Sequence, residues 1–186
     1  VRHLIGRAEP LALWDWLGAN LHDGPSGNNR FELADRINAG LPGIGPFWFN
    51  ASASDLAHLP RKGRDRTKDH GLPERRHCEA LATGAFSCWQ LGGAGAVGSQ
   101  ALTGMASLSR IRARFAGSVA VWPFQAPNAA IVLAEIWPSL FAAEVNAQMR
   151  PGDIKDEVQV RHLTAKVADW QRRGQLEAAL YAVPDI

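Results

Sequence analysis

Apolar positions recur at helical spacing over much of the chain. After Pro10, which a first turn tolerates, Leu13, Trp14, Leu17 and Leu21 share one side and predict a helix over 10–22, ended by the polar run 23–29. A second helix is predicted over 30–39, with Phe31, Ala34 and Ile37 on one face and Gly40 as its stop. Residues 41–50, rich in glycine and proline around Phe47, Trp48 and Phe49, read as a loop whose aromatics plug a core edge. No period is sustained over 51–79, the expected long surface excursion. Residues 86–91 read as a short strand, followed by a glycine turn at Gly92, Gly93, Gly95 and Gly98. A helix over 99–115 follows, with Ala101, Met105, Leu108, Ile111 and Phe115 as its stripe. The segments 119–124 and 131–137 are almost continuously apolar, as strands covered on both faces are, and Pro123 and Pro138 mark their ends. Asp153 is the expected N-cap of a helix running to about Arg173, with Val160, Leu163, Val167 and Trp170 apolar and Gly174 closing it. A last short helix holds Leu176 and Leu180.

This inventory is a helix-rich α/β chain with two or three strands and five or six helices. A parallel sheet needs neighbours on either side, so strands are expected to be missing, and the chain starts at Val1 rather than methionine. Residues 1–186 are therefore expected to be one domain, incomplete. With 186 residues, 46% of them apolar, a core forms without staples, and two cysteines are too few for a disulfide framework. The most apolar stretch, 129–145, carries Glu135 and Pro138, and no signal-peptide run opens the chain. No membrane association is expected, and the cytoplasm is the expected location.

Charge is unevenly placed. Seven Lys or Arg against three acids make residues 60–77 net +4, while the whole chain is +2, so the remainder is −2. Residues 80–134 contain no acid, and their only charges are Arg110, Arg112 and Arg114. Arginine outnumbers lysine sixteen to four, which suits bidentate pairing with carboxylate or phosphate and also follows from a GC-rich coding sequence. The basic run therefore reads either as a phosphate or nucleic-acid contact or as solvated surface.

Gly93-Ala94-Gly95-Ala96-Val97-Gly98 matches G-x-G-x-x-G ahead of a helix. A pyrophosphate could rest there on the amides near Ser99, although no acid for the ribose ends the next strand, and a structural turn needs the same glycines. Glu135 interrupts an apolar strand near its C-terminal end, where open α/β sheets bind ligands. It reads either as functional or as an acid reaching the rim or pairing with one of Arg110 to Arg114. Asp153, Asp156 and Glu157 suit the positive end of a helix dipole. His77, Cys78 and Cys88 are a weak zinc set, and no G-x-S-x-G elbow is present.

Several strings, in order, carry a resemblance: Pro10-Leu-Ala-Leu-Trp-Asp-Trp16, Asn28-Asn-Arg-Phe31, Gly43-Ile-Gly-Pro-Phe-Trp48, Leu59-Pro-Arg-Lys-Gly63, Cys88-Trp-Gln-Leu91, Gly93-Ala-Gly-Ala-Val-Gly-Ser-Gln100, Val121-Trp-Pro-Phe124, Ala134-Glu-Ile-Trp-Pro-Ser139 and Ile154-Lys-Asp156. Together they resemble an uncharacterised bacterial family whose members are often labelled cobalamin or molybdopterin-guanine dinucleotide biosynthesis proteins. That family is distantly similar to predicted nucleases of the ribonuclease H fold. The resemblance implies a partial ribonuclease H-like sheet in a member truncated at both ends, because the family's earlier strands with Asp-Trp-Ser-Gly and Asp-Phe-Pro-Phe-Gly, and its glycine-rich ending, are not in this sequence. It implies Glu135 as a metal ligand, Asp156 as a helper acid, and Arg61, Lys62, Arg75 and Arg76 as phosphate contacts in a phosphodiester-acting site. Two divalent ions, Mg or Mn, would serve the full-length family and be held poorly by this chain. The implied partners are nucleic acid or a phosphate-bearing small molecule. Two alternatives stand beside this: a cofactor-pathway protein binding a nucleotide through Gly93, Gly95, Gly98 and Ser99, and a non-catalytic scaffold.

Overall fold

A computed structural model of the chain describes residues 2–182 apart from Ser26 and Thr83. The fold is mixed α/β and rich in helix, and it divides into two compact units, Val1–Arg114 and Phe115–Ile186.

The N-terminal unit runs α1 (Arg2–Ile5), α2 (Pro10–Asn20), a minimal hairpin of β1 (Asp23–Gly24) and β2 (Gly27–Asn28), α3 (Arg30–Ala39), α4 (His77–Leu81) and α5 (Gly98–Arg114). Its core gathers Leu17 and Leu21, Phe31 and Ala34 of α3, Leu102 and Ala106 of α5, and Phe47, Leu59 and Leu91 from the connections. The proline-started helix over 10–22 and the helix over 30–39 form where the periodicity puts them. On α5 the buried face is one residue away from the predicted stripe: Leu102, Ala106 and Ser109 are buried, while Ile111 and Phe115 are exposed. Gly18 is the cause. A Cβ there would stand 3.2 Å from Ser109 Cβ, so α2 approaches α5 closely and selects small side chains at the contact.

The predicted strand over 86–91 is not formed. Trp48 and Gln90 make a single parallel bridge, with Trp48 N–H donating to Trp89 O and Leu91 N–H to Trp48 O, each at 3.0 Å. Ser87 Oγ accepts from Trp89 N–H at 3.2 Å, and this local turn competes with extension of the ladder. The basic excursion docks on the aromatic loop. Trp89 Nε1 donates to Pro73 O at 2.9 Å, and Ile44 N–H donates to Thr67 Oγ1 at 3.0 Å.

The C-terminal unit holds β3 (Val119–Val121) and β4 (Ile131–Leu133), paired in parallel with Val119 opposite Ile131, then a 3₁₀ turn, α6 (Ala142–Gln148), α7 (Lys155–Arg172) and α8 (Gln175–Tyr181). Both strands are shorter than their apolar runs. Val121 N–H donates to Gln125 Oε1 at 3.0 Å, and that side-chain bond closes the β3 end. β3 is buried throughout, but β4 is not covered as predicted: Ile131 is 49% exposed. Val160 on α7 is also exposed, and Val158 and Leu163 are the buried pair instead. Asp153 does not cap α7. Its Oδ2 accepts from Arg150 N–H at 2.8 Å, and Ile154 occupies the cap position. Gly174 closes α7 in the left-handed conformation, as its sequence position predicts. Trp122 Nε1 donates to Leu180 O at 2.7 Å and ties α8 to the end of β3. No described helix is long and apolar enough to cross a membrane.

Candidate phosphate-binding site

The glycine turn and the start of α5 face an open cavity of about 450 Å³ in the N-terminal unit, lined by Asn28, Arg30, Gly92, Gly93, Ser99 and Gln100 among others. The glycines have local causes. Gly93 and Gly95 adopt φ of +85° and +75°, a region that side chains disfavour. A Cβ on Gly98 would lie 2.4 Å from Cys88 O and 2.6 Å from Gln90 O, so only glycine lets α5 begin against that backbone. Gly98 N–H donates to Gln90 O at 2.9 Å, while the next amides, at Ser99 and Gln100, have no earlier helical carbonyl to meet.

Arg30, the first residue of α3, brings the charge. Its Nε donates to Ser99 Oγ at 3.1 Å and its Nη1 to Asn28 Oδ1 at 3.0 Å, and the guanidinium lies 4.4 Å from the centre of the Phe31 ring. Ser99 Oγ in turn donates to Leu91 O at 2.5 Å. Its proton is therefore directed at the backbone and its lone pair at Arg30, which makes Ser99 an anchor for the arginine. Asn29 pins the start of α3, its Oδ1 accepting from His22 N–H at 2.8 Å and its Nδ2 donating to Asn20 O at 3.0 Å. Among the described residues no carboxylate lines the cavity, and Arg30 carries its only formal charge. A cation fixed beside the amide end of a seventeen-residue helix, with no acid opposed to it, favours an anion. The signal in the sequence is the string Asn28-Asn29-Arg30-Phe31, and periodicity gives it no functional weight.

The other predicted residues are distributed differently. Glu135 is exposed, two residues beyond the end of β4, and Asp156 is exposed in the first turn of α7, both in the C-terminal unit. The premise of a carboxylate inside a buried strand therefore does not hold. Among the described residues no three His, Cys, Asp or Glu side chains come together that could hold a metal ion, which covers the His77, Cys78 and Cys88 set as well. These donors, scattered as they are among the described residues, do not fit a divalent-metal site.

The basic residues sort into ties and exposed charges. Arg61 donates to Asn50 O at 3.0 Å, Ser52 O at 3.1 Å and Asp55 Oδ1 at 2.9 Å, so it staples the loop that precedes it. Arg76 caps α4: its N–H and Nε donate to the two oxygens of buried Glu79 at 2.8 and 2.7 Å. The side chains of Lys62 and Arg75 are exposed and make no hydrogen bond or ion pair among the described residues.

No family model matches the chain, and neither a curated protein nor a solved structure matches it.

Proposed function

We propose that the N-terminal unit binds a phosphate-bearing small molecule, such as a nucleotide, in the cavity between Arg30 and the glycine turn. The observation that carries this is the guanidinium of Arg30, held by Ser99 and Asn28 beside the first turn of α5 in a cavity with no carboxylate among the described residues that line it. This is a binding role of the kind a cofactor-pathway protein needs, with recognition of the phosphate through Arg30 and the Ser99 and Gln100 amides. The ribonuclease H-like reading draws support from the sequence resemblance and from Glu135 lying past the carboxyl end of a strand in a parallel pair. Its metal-dependent chemistry has no donor set among the described residues, so phosphate binding is the better supported reading.

Calorimetric titration of the chain with inorganic pyrophosphate and with ATP tests the proposal. Arg30→Ala is expected to weaken binding about tenfold or more, as loss of a charge-assisted hydrogen bond does, with Arg30→Lys retaining part of the affinity. No binding at millimolar ligand, or equal affinity in Arg30→Ala, overturns it.

A further inference from the structure

The N-terminal unit has a second cavity, a groove of about 510 Å³ lined by Asp55, Leu56, Pro60, Arg61, Lys62 and Arg64 among others. Three cations and two acids, Asp55 and Asp65, line it, and the pairing decides which charges remain available. Arg61 and Asp55 answer each other at 2.9 Å. Among the described residues Arg64 meets only the adjacent Asp65, at 3.9 Å, with both side chains more than half exposed, a contact worth little in water, so that Lys62, Arg64 and Asp65 together leave the groove one net positive charge. Lys62 has no partner among the described residues. Farther along the same run, Arg66 is taken up by Glu74 at 3.0 Å, by Pro46 O and by Gly63 O, whereas Lys68 and Arg75 are exposed and unpaired among the described residues. The basic run thus separates into arginines that build the excursion, at 61, 66 and 76, and cations turned to solvent, at 62, 64, 68 and 75.

We infer that this groove, with Lys62 and Arg64 beside half-buried Leu56 and Pro60, seats a single-stranded nucleic acid, its phosphates on the exposed cations and a base against the apolar wall. A series of solvent-facing cations rather than one fixed arginine matches a repeating polyanion. The apolar lining of Leu56, Leu59 and Pro60, aliphatic rather than aromatic among the described residues, gives a flat, poorly hydrated base a nonpolar surface to rest on. An anionic bilayer presents a broad surface that a concave groove does not follow, and a purely acidic chain such as polyglutamate presents no apolar group to the lining. The inference uses residues separate from the Arg30 cavity and does not rest on the reading given for it.

Fluorescence anisotropy of a labelled oligothymidylate with the full chain, over a range of salt concentrations, decides the matter. The double variant Lys62→Ala/Arg64→Ala is expected to bind about tenfold more weakly and to lose roughly 1.4 from the slope of log affinity against log salt, as two lost phosphate contacts on a single strand require. Lys68→Ala/Arg75→Ala, also on exposed side chains, is expected to lower the slope as well. Unchanged affinity and slope in Lys62→Ala/Arg64→Ala overturn the inference, whatever the second double variant shows. So does polyglutamate competing as well as the oligonucleotide, or binding of phosphatidylserine vesicles without binding of the oligonucleotide.

Discussion

Asp15 shows how one side chain joins two helices. Ser109 Oγ donates to its carboxylate at 2.7 Å and Arg112 makes an ion pair with it, fixing α2 against α5 beside the close approach at Gly18. Desolvation by burial works to raise the Asp15 pKa, but the hydrogen bonds from Arg112 and Ser109 and the charge of Arg112 outweigh it, and the pKa is lowered. A carboxyl with a depressed folded-state pKa contributes stability above its unfolded pKa, about 3.9, and loses that contribution as pH falls through the folded value. Asp15→Asn is therefore expected to be destabilised at neutral pH by about 1 kcal/mol or less, since the side chain is half exposed. The difference should vanish in urea melts run well below pH 4. A gap that persists undiminished in acid would show that packing, not charge, is responsible. Neither the Asp15 pair nor the role of Arg30 was legible in the chain, because each depends on a residue more than sixty positions away that only folding brings near.

At the scale of elements, Asn38 decides how α3 meets the aromatic loop. It is fully buried, its Nδ2 donates to Phe47 O and His58 O at 2.9 and 2.7 Å, and its Oδ1 accepts from Phe47 N–H at 3.0 Å. Replacing it takes the partner from the buried Phe47 N–H and C=O and from the part-buried His58 C=O, so Asn38→Ala is expected to cost about 3 kcal/mol, read as a shift of the denaturation midpoint. A loss within error of zero would mean that water reaches these groups. The aromatic loop it supports was legible from its glycines, prolines and Phe47-Trp48-Phe49, and so were the helices over 10–22 and 30–39. The segment 86–91 was not, because its apolar composition suits a strand while the Ser87 side chain and the glycines after Leu91 turn the backbone away after one bridge. The same glycines were legible as a turn into a helix. Their sequence pattern equally fits a nucleotide fingerprint, and the clash that any Cβ on Gly98 would make with Cys88 O and Gln90 O is visible only in three dimensions.

Over the whole molecule, the two units differ in how well each buries its apolar residues. The N-terminal unit has a contiguous core drawn from three helices and their connections. The C-terminal unit buries β3, Val145, Val158 and Leu163, but leaves Ile131, Ile136, Leu140, Ile154 and Val160 exposed. Small units that leave apolar surface in water are marginal. Hydrogen exchange is accordingly expected to give lower protection in α7 and β3 than in α2 and α5, by one to two orders of magnitude, about 1.4 kcal/mol for each tenfold step. Equal protection across the two units would contradict a separate, weaker C-terminal unit.

Local rules reach as far as local causes do. Helical periodicity, a first-turn proline, a closing glycine and the positive-φ glycines are properties of a few neighbouring residues, and from them the chain by itself determined most helices, the loop at 41–50 and the turn before α5. Only the tertiary structure decided which face of α5 is buried, that β4 is exposed, and that Glu135 lies outside any buried strand. It also set Arg30, rather than the run 61–77 as a whole, beside the glycine turn. Burial and charge pairing are sums over residues distant in sequence, so a motif read along the chain carries the residue types but not which of them meet.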